Sequence, residues 1–364
     1  CNPLNLTLNE MNKGIDINTL AKRVLQQKEA KRDFIANSKC IRLKADGETL
    51  EINGGDLDLD FNVTQTCHRQ IGSTLGIPVK YYDKLRENSS SLLAQNVNWW
   101  LHTEPQDQMV RTFDYQSIGA EDQSNTARAF LSKKYRPLDN CDLIDQLVPL
   151  VTDRGADIKS CNLTDNYFYF HACFPDIEAE ITEGDVVRAG ISIRNSEVGL
   201  SSLKVYPWIE RLACMNGMTV ADSGVRKYHV GKSLASSDIA YELMSDDTKE
   251  KTDKAFWAQV QDVVKATMEE AKFQTIINSY REKAKIEVAE PAKAVEITSD
   301  RFRLTKDESK SMLRFLCEDG DYSQWGVANS VTRLAHDEDS YDRAVELTEI
   351  GGEVMELPQS AWSD

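Results

Sequence analysis

The sequence is poor in the signatures that announce chemistry. It has no G-x-x-x-x-G-K-[ST] loop and no G-x-G-x-x-G turn after a strand, which excludes the common nucleotide-driven motors and dinucleotide enzymes. No G-x-S-x-G elbow is present. His68, His102, His171, His229 and His336 are far apart, and none has an evident neighbour to orient it as a general base. The eight cysteines (Cys1, Cys40, Cys67, Cys141, Cys161, Cys173, Cys214 and Cys317) form no C-x-x-C pair. Without clustered soft ligands no zinc site is expected, Cys67-His68 being the single adjacent soft pair; thiols in a reducing cytoplasm are expected instead. No run of about 18 apolar residues occurs, so no membrane helix is expected. No charged-then-apolar leader is read, and because the chain begins at Cys1 its true N-terminus is expected upstream or already removed. Internal repeats and low-complexity tracts are absent, and neither cofactor nor metal is expected.

Acidic residues are plentiful but follow structural rules. Asp56, Asp58 and Asp60 alternate with Leu57, Leu59 and Phe61, which reads as a strand with one wet face. An EF-hand loop would need Gly at its sixth and Glu at its twelfth position, and has neither here. Asp139, Asp142 and Asp145 have helical spacing; acids at a helix start answer the macrodipole, so a metal-dependent nuclease is not the first reading. Any enzyme would require several of Asp139, His171, Arg194, Arg211 and Asn216 to converge in a pocket.

The 364 residues carry a net charge of −16, unevenly spread. Residues 1–100 sum to +1, 101–232 to −5 and 233–364 to −12. Within the middle third the sign reverses over 186–232, with seven basic against three acidic side chains. So acidic a chain repels polyanions overall, and any nucleic-acid contact must be local.

Periodicity predicts an α+β fold: a mainly antiparallel sheet core with packed helices, followed by an α-helical C-terminal region. The expected division is an N-terminal helical arm (1–39), an α+β core (40–232), a long amphipathic helix (233–290) and a C-terminal helical subdomain (291–364). A helix is expected from Asn18, as N-cap, to Asn37, with Phe34 and Ile35 on its apolar stripe. Asp46-Gly47 should turn a hairpin within Ile41–Ile52. Helices follow over 66–75, 79–86 and 90–101. The last ends on Trp99-Trp100, which cannot both point inward; one core anchor and one interface residue are expected, with base stacking the sharper alternative. Strands are expected over 109–115 and 127–131, a helix from Asp139 or Asn140 to Val151, a hairpin over 158–174 turning at Thr164–Asn166, an acidic turn over 175–185, and two or three strands over 186–220. One long helix should cover 246–285, with an apolar stripe of Phe256, Val260, Val263, Val264, Thr267 and Ala271. Glu287–Asp300 reads as a linker, Thr305-x-x-Glu308 as a capping box, and further helices cover 324–335 and 340–350, the last stopped by Gly351-Gly352.

Four blocks carry a resemblance: Leu75–Tyr82 (LGIPVKYY), Phe130–Asn140 (FLSKKYRPLDN), the alternating ribbon Ile193–Met218 ending in Arg211–Gly217 (RLACMNG), and Trp325–Thr332 (WGVANSVT). Together and in this order they resemble a phage- and plasmid-encoded family with a domain of unknown function. The resemblance implies a mobile-element origin, a bacterial cytoplasmic protein and an α+β body. It brings no activity and no catalytic residues.

What remains is a basic and aromatic β-surface. Arg188, Arg194, Lys204, Arg211, Arg226 and Lys227 alternate with Tyr206, Trp208 and Tyr228, and Lys133, Lys134 and Arg136 form a second basic patch. Cations that track phosphate beside aromatic faces that accept bases suit single-stranded DNA. The leading expectation is therefore a non-catalytic protein that binds single-stranded DNA, in annealing or strand protection, and forms a homo-oligomer. The alternative is an oligomeric interaction protein that binds another protein and has no nucleic-acid role. In that case the cations pair with the chain's own acids, and Tyr206 and Trp208, which share strand parity, belong to a core.

Overall fold

The computed structural model describes residues 14–53, 58–120, 123–135, 137–213, 216–220, 246–288 and 290–362. In chain order the elements are α1 (Ile17–Ala30), β1 (Phe34–Asn37), β2 (Ile41–Leu43), β3 (Thr49–Asn53), β4 (Asp58–Val63), α2 (Gln65–Thr74), α3 (Val79–Asn88), α4 (Ser90–Thr103), β5 (Asp107–Phe113) and β6 (Thr126–Ser132). Then come α5 (Asn140–Thr152), β7 (Asp157–Leu163), β8 (Phe168–Glu180), β9 (Val186–Asn195), β10 (Lys204–Arg211), β11 (Asn216–Thr219), α6 (Asp246–Thr267), α7 (Glu270–Lys283), α8 (Pro291–Phe302), α9 (Lys306–Asp319), α10 (Gln324–Leu334) and α11 (Tyr341–Met355). The fold is α+β. Among the described residues no helix is long and apolar enough to cross a membrane.

The chain forms two units. The first comprises Cys1–Leu20, Asp142–Asn195 and Leu203–Asp364; the second comprises Ala21–Cys141 and Ser196–Ser202. The second unit holds a six-stranded sheet in the order β1-β5-β6-β4-β3-β2, antiparallel except where β4 meets β6. Ile41, Leu43, Leu50, Ile52, Phe61, Val110 and Phe130 from the sheet pack with Cys67 and Ile71 of α2, Tyr82 and Leu85 of α3, and Leu93, Ala94, Val97 and Leu101 of α4. An unpaired sheet edge invites intermolecular pairing. At β2 that edge is closed from α4: Asn98 accepts from the Leu43 amide and donates to the Leu43 carbonyl, each at 2.8 Å.

The first unit holds an antiparallel sheet in the order β11-β10-β9-β8-β7. Along β8 and β9 the alternation is clean. Phe168, Phe170, Ile191 and Ile193 face one way; Tyr169, His171 and Arg194 face the other. α10 is buried over nearly its whole circumference. Its Gln324 Nε2 donates to the carbonyls of Val354, Met355 and Leu357, tying down the end of α11.

Several sequence expectations are corrected. The first helix ends at Ala30, and Asp16, not Asn18, caps it, accepting from the amides of Asn18 and Thr19. Phe34 and Ile35 lie in β1, where pairing with β5 gives the aromatic and β-branched residues a pleated surface. β8 continues to Glu180 through the stretch read as a turn, paired with β9 beyond a bulge. The expected 246–285 helix is two helices, broken where Glu269 is extended. Glu287–Asp300 is mostly α8, because Pro291 at its first turn starts a helix rather than breaking one. Gly351-Gly352 does not stop α11. A Cβ on Gly351 would run into the Thr332 methyl, so this glycine serves close approach of α10. The Thr305–Glu308 capping box is present, with bonds of 3.2 and 2.6 Å.

Gly326 in α10 is the least tolerant position of this packing, since a Cβ there would meet the Asp321 carbonyl oxygen. Gly326→Ala should destabilise the protein by about 3 kcal/mol or more, a fall of roughly 6–12 °C in Tm measured by circular dichroism.

Candidate functional site

The predicted cationic ribbon is the hairpin of β9 and β10. Their register pairs Arg194 with Lys204, Ser192 with Tyr206, Gly190 with Trp208 and Arg188 with Glu210. Arg194, Lys204 and Tyr206 thus share one end of the ribbon. Arg188 and Arg211 lie at the other, about 20 Å away at 3.3 Å per residue. Lys133 and Lys134 belong to the second unit. Arg136, Arg226 and Lys227 lie outside the described residues.

α11 covers the face that bears Arg194. Tyr169 Oη donates to Asp342 at 3.0 Å, Tyr341 Oη donates to Ser160 Oγ at 3.0 Å, and Thr348 lies 3.5 Å from Thr219. Between them Glu349 sets one oxygen 3.0 Å from the Arg194 guanidinium and the other 4.0 Å from Lys204 Nζ. Arg194 also lies 5.3 Å from the centre of the Tyr167 ring. Burial pushes the Glu349 carboxyl up, against the downward pull of Arg194 and Lys204. Burial, with Glu349 adding to it, also pushes up the Tyr206 hydroxyl.

The other cations have carboxylates as well. Arg188 Nε is 2.7 Å from Glu178, and Lys133 Nζ is 3.3 Å from Asp107. Arg211 Nε is 2.7 Å from Asp185, whose second oxygen accepts from Trp325 Nε1 at 2.8 Å. Two of the four blocks of the resemblance therefore meet at a single acid. Lys134 is exposed, in the turn after β6. Trp208 is buried rather than open for stacking. Gly217 of the RLACMNG block gives its indole room, since a Cβ there would enter the ring.

Among the described residues of the first unit, the candidates an enzyme would need do not gather: Arg194 and Arg211 lie at opposite ends of the ribbon. Arg194 and Arg211 are held as above, Asp139 lies in the second unit, and the side chain of Asn216 lies outside the described set. His171 is buried against Trp208, with ring centres 5.6 Å apart, and lies 3.2 Å from Ser160 Oγ. Ser160 Oγ also accepts from Tyr341 Oη, so the imidazole edge ends in a hydroxyl pair. Burial, then the charge of Arg194, pushes His171 down to about 4. His68 of the Cys67-His68 pair likewise sits between Tyr82 Oη at 2.9 Å and Glu48 at 3.3 Å. Burial, then Arg86, pushes it down to about 4. Among the described residues no group of three His, Cys, Asp or Glu is placed to hold a metal.

A charge cluster in the second unit was missed by the sequence reading. Arg111 is 0% exposed. It donates to Asp33 at 3.1 Å, to Asp139 at 2.7 Å and to the Glu197 carbonyl at 2.9 Å. Glu197 bonds Arg128 at 2.6 Å and accepts from the Asn140 amide at 2.6 Å; Lys31 bonds Asp139 at 2.5 Å. Three cations balance three carboxylates, which is what burial of charge demands. Arg111 and Arg128 sit inside the apolar strands MVRTF and TARAF, and that is the signal that could have revealed them. Asp139, a candidate metal ligand, has both oxygens committed here. Trp99 and Trp100 contradict the expected core anchor: they are 65% and 38% exposed.

Two measurements probe these assignments. Glu197→Ala leaves Arg128 and the Asn140 amide without their acceptor and should cost about 3–5 kcal/mol in denaturant unfolding. The buried histidines make stability pH-dependent. The unfolded chain takes up their protons below about 6.5, the native state only near 4. Stability is therefore full above 6.5 and falls as pH drops toward 4, by about 2 kcal/mol per histidine between pH 7 and pH 5. His171→Gln should remove one histidine's share of that slope.

A family model described as a domain of unknown function (DUF932) matches residues 127–349. No curated protein and no solved structure matches the chain. The matched region runs from β6 through the five-stranded sheet to Glu349 of α11, and so contains both members of the Arg194–Glu349 pair, Trp208, Gly217 and the Asp185–Arg211–Trp325 junction. It covers more than half of the sequence, and the chain belongs to the DUF932 family.

Proposed function

We propose that the chain is a non-catalytic interaction protein that assembles through protein–protein contacts and does not engage nucleic acid through the β9–β10 ribbon. One observation carries this reading. Of the large apolar side chains exposed among the described residues, eight of nine (Leu25, Ile35, Val79, Tyr81, Leu92, Trp99, Trp100 and Leu200) belong to the second unit. That unit holds 17 basic and 17 acidic residues, so the whole net charge of −16 resides in the first. Exposed apolar groups that include two tryptophans, on a body with no net charge, suit a protein interface, where tryptophan is enriched.

Single-stranded DNA is the rival reading. It requires Arg188, Arg194, Lys204 and Arg211 to face phosphate, yet each is within 4.0 Å of a carboxylate. A phosphate would have to displace those acids on a body that already repels it. The described cysteines are thiols rather than disulfides, which supports a reducing compartment such as the bacterial cytoplasm. A mobile-element origin rests on the resemblance of the four blocks.

Fluorescence anisotropy with a labelled single-stranded oligonucleotide, run beside light scattering, tests the proposal. At micromolar protein and about 50 mM salt, anisotropy should not change, and an assembly should persist unaltered to about 500 mM salt. Oligonucleotide binding that weakens by several powers of ten over that range would overturn it.

A further inference from the structure

The sheet face that bears Arg194 carries, at its other end, a cluster of a thiol, an amine and a carboxylate. The register sets Cys173 of β8 beside Gly190 of β9, and Gly190 beside Trp208 of β10. Glu210, two residues along from Trp208, shares that face. β7 is bulged between Ile158 and Ser160, which makes Lys159 the extra residue, and a bulge re-aims a side chain. Gly190 is the gap between the strands that supply them: a Cβ there would strike the Trp208 ring and the Ala172 carbonyl. Across this gap Glu210 reaches from β10 and Lys159 from β7, with Lys159 Nζ 3.1 Å from Glu210 Oε1. Both lie within hydrogen-bonding reach of the Cys173 thiol. Cys173 is fully buried and Glu210 is 7% exposed, whereas the Lys159 side chain is 27% exposed and opens the cluster to solvent. The second carboxylate oxygen, Glu210 Oε2, is buried without a hydrogen-bond partner. A buried acceptor left without a donor is costly and calls for an explanation.

We propose that these three residues form a peroxide-responsive modification site, in which oxidation joins Cys173 to Lys159 through a sulfur–nitrogen bond. The proposal is independent of the assembly reading. Each group has a part in the reaction. Burial, then Glu210, pushes the thiol up to about 12 against the pull of Lys159. At neutral pH the sulfur therefore keeps its proton and must lose it as it reacts, since the thiolate is the nucleophile. Glu210 Oε2 is the acceptor in place. As sulfur attacks one oxygen of hydrogen peroxide, the O–O bond breaks and the thiol proton passes to Oε2. The departing hydroxide takes a proton from the Lys159 ammonium and leaves as water. Cys173 is then a sulfenic acid, and Lys159 is an uncharged amine beside it. A sulfenic acid condenses with a neighbouring nitrogen, as it does with a backbone one. The amine attacks sulfur, the S–O bond breaks, and hydroxide leaves as water with the proton held by Glu210. The surplus proton on nitrogen goes to solvent. In sum, thiol, ammonium and one hydrogen peroxide give the sulfenamide, two waters and one proton. Cys161, nearby on β7, lacks such neighbours, its thiol donating to the Ile15 carbonyl.

The full chain treated with about 1 mM hydrogen peroxide, alkylated and digested with trypsin without reduction, tests the site. Cleavage after Lys159 should be lost. The peptide 155–188 should then carry an unalkylated Cys173 and weigh less than its reduced form by two hydrogens, one from sulfur and one from nitrogen. Dithiothreitol should restore cleavage. Lys159→Arg and Cys173→Ser should each abolish the link, and Cys161→Ser should leave it in place. Glu210→Gln keeps the shape but cannot take the proton, and should slow the linkage about a hundredfold. The parent chain alone suffices to overturn the proposal. It falls if Cys173 is still a thiol, or is carried to the sulfinic acid with Lys159 cleavable, once the exposed Cys40 and Cys317 are oxidised. A link made through Cys161 instead would overturn it equally.

Discussion

A cationic face of a sheet can be buried only if whatever covers it brings acids. In the first unit this condition shapes the packing. β9 and β10 present Arg194 and Lys204, and α11 crosses them with Glu349 between the two cations, flanked by Asp342 for Tyr169 and Tyr341 for Ser160. α11 is no removable lid. Val345, Leu347, Ile350, Val354 and Met355 are buried along it, at about 1.5–3 kcal/mol each. Lifting the helix would cost more than a typical domain has to spare. Arg194 is therefore a component of an interior.

The same logic, with different residues, organises the second unit. Arg111, Arg128 and Lys31 are neutralised by Asp33, Asp139 and Glu197, and Glu197 binds a guanidinium and a backbone amide at once. Removing one partner from a buried polar network of this kind exposes the rest to the full desolvation penalty. Their contribution is to hold a loop, Ser196–Ser202, in a body built from a distant part of the chain.

The charge distribution separates two tasks. The first unit carries the net charge and with it resistance to nonspecific contact with polyanions. The second carries eight of the nine large apolar side chains exposed among the described residues, and no net charge. Trp208, the most suggestive base-stacking residue of the ribbon, has its ring against Gly217, whereas Trp99 of the second unit is exposed.

Local signals were legible where one element decides the outcome. The Asp46-Gly47 hairpin, the Thr305–Glu308 capping box, the antiparallel alternation of β8 to β10 and the α+β class all follow from periods and caps within a few residues. Three features were not legible. Phe34 and Ile35 match a helical stripe and become strand only because β5 lies alongside. Gly351 looks like a stop until α10 passes close enough to need it. An arginine in sequence is a positive charge, whereas in the fold Arg194 is half of a pair whose other half lies 155 residues away. The class, the total charge and those elements whose caps and periods are local could be read from the chain, because these depend on neighbours along it. Only the tertiary structure decided which charges face water, because neutralisation acts over a few ångströms of space and takes no account of separation along the chain.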